Sequence, residues 1–144
     1  METRPFPRTP YSASVVGLGT WQLGADWGEV TEAEARDVLE ASASAGVTFY
    51  DTADVYGDGR SEQVVGAFVA AHPSAGFTVA TKMGRRAEQV PESYTPQAFR
   101  AWVDRSRRNL GTRRRRRTGS TSWTVGSTGS TRGETVAGFV LRRL

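Results

Sequence analysis

Asp51, Tyr56 and Lys82 are the residues of this sequence whose types and spacing could together perform acid–base chemistry. A lysine ammonium and a carboxylate beside a tyrosine lower the pKa of the phenol from about 10 toward neutrality. A phenol tuned in this way donates a proton to a reacting group. Lys82 is also the only lysine in a chain that holds 18 arginines. That bias would ordinarily supply arginine for a surface charge, so the exception indicates a specific requirement for lysine.

Strands and helices alternate along the part of the chain that carries these residues. Short apolar runs predict strands at residues 14–20, 47–51 and 77–82. The strand starts repeat at intervals of roughly 30 residues, as successive β/α crossover units require. Asp51 and Lys82 close two consecutive strands, and Tyr56 follows in the next loop. The alternation predicts an α/β fold with all three side chains at the carboxyl edge of one parallel sheet.

Each of the three predicted helices has a hydroxyl residue at its start, namely Thr31, Ser61 or Thr95. Thr31 and Glu34 have the spacing of a capping box, in which each side chain binds the backbone N–H of the other residue. Pro96 stands at the first position of the third helix, where its missing N–H has no effect on stability. Before residue 15, three prolines predict an extended lead-in or a short hairpin.

Spacing excludes two other classes of site. The glycine pairs at 17 and 19 and at 57 and 59 begin a dinucleotide-binding pattern, but Gln22 and Glu62 stand where its third glycine is required. A calcium loop beginning at Asp54 needs glutamate at its twelfth position, which is Val65. Cysteine is absent, so a thiolate metal site is impossible. We therefore expect no metal.

The sequence contains no signal for a membrane or for secretion. No apolar run approaches the roughly 20 residues that cross a bilayer. The segment that follows Met1 lacks the apolar core of a secretory signal. Together with the absence of cysteine, these features predict a soluble, cytoplasmic protein.

The composition changes abruptly near residue 112. Residues 1–111 hold 11 Lys or Arg and 14 Asp or Glu, whereas residues 112–144 hold 8 Arg and a single acid. Arg113 to Arg117 stand where the fourth strand is due, and the Gly-, Ser- and Thr-rich segment that follows is typical of disordered chain. A GC-rich gene translated out of frame gives such runs, and we favour that origin. The alternative is a basic tail that binds nucleic acid or other polyanions.

Three motifs resemble the signatures of the aldo-keto reductases in order and spacing. They are GLGTW at 17–21, DTADVYG at 51–57 with SE at 61–62, and TK at 81–82. The resemblance implies the first three units of a (β/α)8 TIM barrel over residues 15–111, with a lead-in at 1–14 and a disordered tail at 112–144. Three units alone leave both edges of the parallel sheet unpaired. The resemblance also implies reduction of small aldehydes or ketones with a nicotinamide cofactor, usually NADP(H).

The resemblance assigns a role to each residue of the site. Tyr56 is the proton donor to the carbonyl oxygen, Lys82 lowers its pKa, and Asp51 holds Lys82 in place. The cofactor and the substrate are expected to lie against a set of residues that closes the first two strands: Gly19, Thr20, Trp21 and Asp51.

The family's fourth catalytic residue is a histidine at the end of the fourth strand. The only histidine here, His72, follows the second helix and is expected on the opposite face from the site. The family's contacts to the remainder of the cofactor lie mostly in later barrel units. We therefore expect a truncated, inactive fragment of an aldo-keto reductase, with an incomplete cofactor site.

Overall fold

A computed structural model describes residues 1–6, 11–25 and 28–112, together with the backbone of two strands at 124–127 and 137–142. Arg113 to Arg117 lie outside the described residues. The origin of the basic tail, its binding to polyanions and the domain boundaries therefore stay predictions. Within the described ranges, no helix is both long enough and apolar enough to cross a membrane.

The N-terminal lead-in forms a two-stranded antiparallel hairpin. Strand β1 (Thr3–Pro5) pairs with β2 (Ser12–Ser14). The ring of Phe6, directly after β1, lies 5.8 Å from the ring of Phe49 in the next sheet. The hairpin expected for this segment is confirmed, and it contacts the main sheet through an aromatic pair.

Three parallel strands form the centre of the fold. Strand β3 (Leu18–Gly19) pairs with β4 (Phe49–Asp51), which pairs with β5 (Thr78–Met83). A helix follows each strand before the chain continues, which is the predicted β/α alternation. The parallel pairing brings the carboxyl ends of the three strands to one edge of the sheet, as the sequence predicts.

The first and third helices begin as predicted. Helix α1 (Glu32–Ser44) has a complete capping box, with the Glu34 N–H donating to Thr31 Oγ1 at 3.2 Å and the Thr31 N–H donating to Glu34 Oε2 at 2.8 Å. The Thr31 N–H and the Thr31 hydroxyl both donate to Glu34 Oε2, and these two bonds lower the pKa of the Glu34 carboxyl. Helix α3 (Pro96–Asn109) begins after Thr95, whose hydroxyl accepts a hydrogen bond from the Ala98 N–H in the first turn.

The second helix begins differently from the prediction. Helix α2 (Arg60–Ala71) has Gly59 as its N-cap, with a φ of 95° that favours glycine. Ser61 is the second residue of the helix and does not cap it, so the prediction for Ser61 was wrong. Its hydroxyl is buried and binds Thr20 and Thr52 in the neighbouring loops, which offer partners that the local sequence does not reveal.

The edge of the sheet beyond β5 is paired. Strand β7 (Ala137–Arg142) runs antiparallel along the whole of β5, and β6 (Thr124–Ser127) runs antiparallel along β7. The sheet order is β3-β4-β5-β7-β6. The expectation of an open edge at β5 differs from this pairing, whereas the expectation of a disordered tail over residues 112–144 stays a prediction for the residues outside these two strands. An edge strand presents a row of free N–H and C=O groups, which a short apolar segment can satisfy by pairing with it.

The apolar core lies between the parallel strands and their helices. The ring of Tyr50 packs edge-on against Phe68 at 5.7 Å and Phe77 at 5.2 Å, and these two rings stack at 5.3 Å. The other buried members of this core are Leu23, Ala35, Leu39, Val47, Val65, Val79, Met83 and Leu110. Because side chains alternate along a strand, Asp51 projects from the sheet face opposite Tyr50.

Helices α2 and α3 approach each other closely at Gly66. A Cβ atom at this position would lie 2.7 Å from the Cα atom of Leu110 and 2.9 Å from its carbonyl oxygen. Backbone atoms cannot move aside as the end of a flexible side chain can. The approach of the two helices therefore depends on glycine at this position.

Replacement of Gly66 by alanine is expected to lower the free energy of unfolding by about 1–3 kcal/mol, the usual effect of overpacking. Urea unfolding followed by circular dichroism measures the change. Gly19→Ala is the matched control, because a Cβ atom there meets nothing within 4 Å. Equal stability of Gly66→Ala and the wild type would contradict the close approach of the helices.

Candidate active site

Asp51 and Lys82 form an ion pair across strands β4 and β5. Asp51 lies opposite Ala80 in the parallel register, and Lys82 projects from the same face two residues later. Lys82 Nζ donates to the two carboxylate oxygens of Asp51 at 2.8 and 2.7 Å and to the Thr52 carbonyl oxygen at 2.9 Å. These contacts occupy all three N–H bonds of the ammonium group. The lysine is therefore held at the carboxyl edge of the sheet.

Tyr56 lies beside this ion pair. The centre of its ring is 5.3 Å from Lys82 Nζ, a distance at which a cation interacts with an aromatic ring. The ring of Trp21, after β3, lies 6.4 Å from the Tyr56 ring. The structure thus brings Asp51, Tyr56 and Lys82 together, with Trp21 as their aromatic neighbour.

The loop that carries Tyr56 is held by contacts directly after it. Gly57 has a φ of 57°, and a Cβ atom there would lie 2.0 Å from the Gly24 carbonyl oxygen. Asp58 follows with a φ of 54°, and its carbonyl oxygen accepts a hydrogen bond from Arg105 of α3 at 2.7 Å. The loop is therefore in contact with the β3–α1 connection on one side and with α3 on the other.

A pocket of about 460 Å³ opens at this edge of the sheet. Its lining residues are Trp21, Ala53, Asp54, Val55, Tyr56, Lys82, Met83 and Arg85. A groove of about 590 Å³ between α1 and α2 is larger, but Tyr56 and Lys82 do not line it, so the pocket beside Lys82 is the candidate site. In the described part of the chain, no group of three or more histidine, aspartate or glutamate side chains could hold a metal ion.

Three buried hydroxyls lie behind the ion pair. Ser61 Oγ is 2.8 Å from Thr20 Oγ1 and 2.9 Å from Thr52 Oγ1. The Ser61 hydroxyl also reaches the Thr20 carbonyl oxygen at 2.8 Å, and the Thr20 hydroxyl reaches the Asp51 carbonyl oxygen at 3.0 Å. This hydroxyl cluster (Thr20, Thr52 and Ser61) joins the ends of β3 and β4 to the first turn of α2.

Glu62 is a buried carboxylate to which sequence reasoning assigned no role. Its Oε1 atom accepts a hydrogen bond from the Thr81 hydroxyl at 2.7 Å, and its Oε2 atom accepts one from Asn109 at 2.8 Å. The side chain therefore links α2, β5 and α3 next to Lys82. The only feature of the sequence that could have indicated a role for Glu62 was its place after Ser61 in the reductase-like motif.

Asp54 is a second acid that sequence reasoning missed as a site residue. Its side chain is buried, and neither carboxyl oxygen accepts a hydrogen bond from the described residues. Burial raises the pKa of Asp54 to about 6, and the nearby carboxylates of Glu62 and Asp58 add to the increase. The Arg105 guanidinium and a weak contact from the backbone N–H of Gly84, which falls short of a full hydrogen bond, lower this pKa, but they do not cancel the effect of burial.

Known proteins share this sequence pattern and fold. The model of the aldo/keto reductase family matches residues 15–115. The chain belongs to the aldo-keto reductase family. Pyridoxal 4-dehydrogenase from Microbacterium luteolum is 36% identical to it over 84 residues, which are 58% of this chain and 24% of that protein.

Solved structures of the family extend the likeness to the fold. The holo form of an aldo-keto reductase from Bacillus halodurans matches with a TM-score of 0.63 at 30% identity, over 78% of this chain and 37% of that one. An aldo-keto reductase from Klebsiella pneumoniae in complex with NADPH matches with a TM-score of 0.57 at 27% identity, over 70% and 32%. The chain thus spans less than half the length of these relatives, and the predicted partial TIM barrel is confirmed.

Of the four residues expected to bind the cofactor, Trp21 lines this pocket, whereas Gly19 and Asp51 line a second groove beside the N-terminal hairpin. Gly19 is exposed with open space above it, and Trp21 is 40% exposed. The carboxylate of Asp51 is partly exposed beside Lys82. The Thr20 side chain lines neither the pocket nor this groove, because it is fully buried and belongs to the hydroxyl cluster. Its part in this aldo-keto reductase fold is to support the backbone of Asp51.

His72 lies far from the ion pair, as the sequence predicts. It follows α2, which starts beside the Tyr56 loop and has 12 residues, a length of about 18 Å. Its Nδ1 atom is 2.9 Å from the Phe68 carbonyl oxygen, and its Nε2 atom is 3.4 Å from Glu40. These contacts place the histidine at the amino edge of the sheet, opposite the site.

Replacement of Ser61 by alanine is expected to lower the free energy of unfolding by about 1–3 kcal/mol, because buried oxygens of Thr20 and Thr52 lose a hydrogen-bond partner. Urea unfolding measures this change. Ser44→Ala, at the exposed end of α1, is the matched control and should change stability by less than about 0.5 kcal/mol. A Ser61→Ala chain as stable as the control would show that the hydroxyl cluster does not stabilise the fold.

Proposed function

We propose that these residues supply the proton-donating part of the active site of an NAD(P)H-dependent reductase of small aldehydes or ketones. The observation that carries the proposal is the Asp51–Lys82 ion pair, whose ammonium nitrogen lies 5.3 Å from the centre of the Tyr56 ring. Membership of the aldo-keto reductase family supports it. The pocket of about 460 Å³ beside these groups is of the size that small molecules occupy.

In the proposed reaction, Tyr56 gives its hydroxyl proton to the carbonyl oxygen of the substrate. Negative charge then develops on the phenol oxygen. The ammonium of Lys82 stabilises that charge through space, because its three N–H bonds are already occupied by Asp51 and Thr52. A cation that is in place before the reaction lowers the barrier without any reorganisation in the transition state.

Trp21 of the pocket, together with Gly19 and Asp51 of the second groove, fits the nicotinamide end of NADP(H). Trp21 presents an indole surface 6.4 Å from the Tyr56 ring, and Gly19 leaves open space where a side chain would otherwise project. When bound, the cofactor supplies the hydride. The NADPH complex of the Klebsiella pneumoniae relative favours NADP(H) for this chain. Gly19, Trp21 and Asp51 are the residues that we assign to this end of the cofactor.

We also infer that the 144-residue chain does not reduce carbonyl compounds by itself. The family resemblance calls for a histidine close to the tyrosine, and the single histidine of this chain is bonded at the opposite edge of the sheet. The side chains of Lys82 and Asp51 are 30% and 44% exposed, so that water reaches the ion pair and weakens its field.

A chimaera that joins residues 1–111 to the remaining barrel units of the Bacillus halodurans relative is expected to oxidise NADPH in the presence of a small aldehyde. Tyr56→Phe should lower its kcat by at least about 100-fold, because the proton donor is lost. Loss of NADPH absorbance measures the rate. Tyr11→Phe, the same chemical change next to the N-terminal hairpin, should leave the rate unchanged.

Two results would contradict these proposals. A chimaera in which Tyr56→Phe retains the full rate would show that Tyr56 is not the proton donor. Reduction of an aldehyde by the isolated 144-residue chain, abolished by Tyr56→Phe, would overturn the inferred inactivity and leave the role of Tyr56 intact.

A further inference from the structure

Asp54 is buried in a position that disfavours its charge. It stands between Asp51 and Tyr56 in the chain and contributes to the wall of the pocket. The residue is 1% exposed, and both carboxyl oxygens are buried without a hydrogen bond from the described residues. Burial of an ionised carboxyl that receives no full hydrogen bond costs far more free energy than burial of the neutral acid. The surroundings of Asp54 therefore make its ionisation less favourable than in water.

The backbone of Asp54 connects the Tyr56 loop to the end of β5. The Asp54 N–H donates to the carbonyl oxygen of Lys82 at 3.0 Å. The Tyr56 N–H donates to the carbonyl oxygen of Ala53, the residue before Asp54, at 3.2 Å. A movement of the Asp54 side chain toward water therefore strains one bond to Lys82 and one that forms the turn of Tyr56.

The charged groups around Asp54 offer an ionised carboxyl little compensation. Glu62 of α2 and Asp58 of the loop are both acids, and each raises the pKa of Asp54. Arg105 of α3 lowers this pKa, but its guanidinium also binds the Asp58 carboxylate at 3.1 Å. Arg86, after β5, pairs with Asp58 as well. Ionisation of Asp54 thus adds a third negative charge to a region in which Asp58 already occupies both arginines.

We infer that Asp54 is a positioning residue, which as a neutral acid holds the Tyr56 loop against Lys82 and on ionisation loosens this loop. The consequence of this loosening for catalysis rests on the proposed function. The response of the loop to ionisation is a property of this chain and does not depend on any activity.

The effect of pH on opening of the Tyr56 loop follows from the linkage between loop opening and ionisation of Asp54. An acid whose pKa is higher in the closed loop than in water stabilises the closed loop at low pH, and this stabilisation is lost as the pH rises through the higher value. With a pKa of about 6 when closed and 3.8 when open to water, the open fraction should rise about tenfold between pH 5 and pH 8.

Amide hydrogen exchange of the full chain, expressed as protection factors at pH 5 and pH 8, tests the inference. Protection of residues 53–58 is expected to fall about tenfold over this range, while that of α1 stays constant. Asp54→Asn has the same shape without the titrating group, and its loop should be equally protected at both pH values. Asp104→Asn, which removes an exposed acid of α3, is the matched control and should respond to pH as the wild type does.

Three results would overturn the inference. The first is equal protection of the wild-type loop at both pH values. The second is an unchanged pH response in Asp54→Asn. The third is an equal loss of protection in the loop and in α1, since Asp54 would then affect only global stability. If Tyr56→Phe left the rate of the chimaera unchanged, the proposed role of Tyr56 would be refuted, whereas these exchange results would still decide the role of Asp54 in the loop.

Discussion

The parallel register between β4 and β5 determines where the candidate site forms. Because Asp51 lies opposite Ala80, the next side chain on the same face of β5 is Lys82, which reaches the carboxylate directly. On the other face, Tyr50 and Val79 are buried in the apolar core. A slip of one residue would turn Lys82 into that core and Val79 toward the pocket. The burial of apolar groups on one face and the ion pair on the other thus require the same pairing of strands.

Buried polar groups then fix the loops that leave this sheet. Ser61 binds the ends of β3 and β4, while Glu62 binds β5 and α3. A hydrogen bond adds only about 1 kcal/mol to stability, but a buried polar group without its partner costs about 1–3 kcal/mol. Such groups therefore disfavour alternative loop arrangements more than they stabilise the correct one. The position of Tyr56 depends on these buried polar groups, because its loop lies between β4 and α2, which they hold.

Elements with a local signal could be predicted from the sequence. Thr31 and Glu34 lie within one helical turn, and the capping box that they form needs no information from elsewhere in the chain. Ser61 satisfied the same local rule, but its hydroxyl binds Thr20, which is 41 residues away. Strand β7 is a second case, because its pairing with β5 joins segments that are distant in sequence. Local composition gave no indication of that partner.

The same distinction between local signals and long-range contacts applies to the candidate site. Asp51, Tyr56 and Lys82 could be identified because strand ends and motif spacing both pointed to one edge of the sheet. The burial of Asp54 and Glu62 follows from the packing of α2 and α3 against β5, and no pattern in the sequence encodes it. Gly66 shows the same dependence, since its role arises only where the end of α3 meets α2.

Asp51 and Asp54 show how packing gives two identical side chains different tasks. Asp51 is partly exposed and has an ammonium within 2.8 Å, so it serves as the counter-ion that holds Lys82. Asp54 is buried among other acids, and its pKa of about 6 lies close to the pH range in which such a site operates. Environment alone separates these roles, as it does for paired carboxyls in other active sites. One acid therefore anchors the cation, while the other makes the order of the Tyr56 loop sensitive to pH.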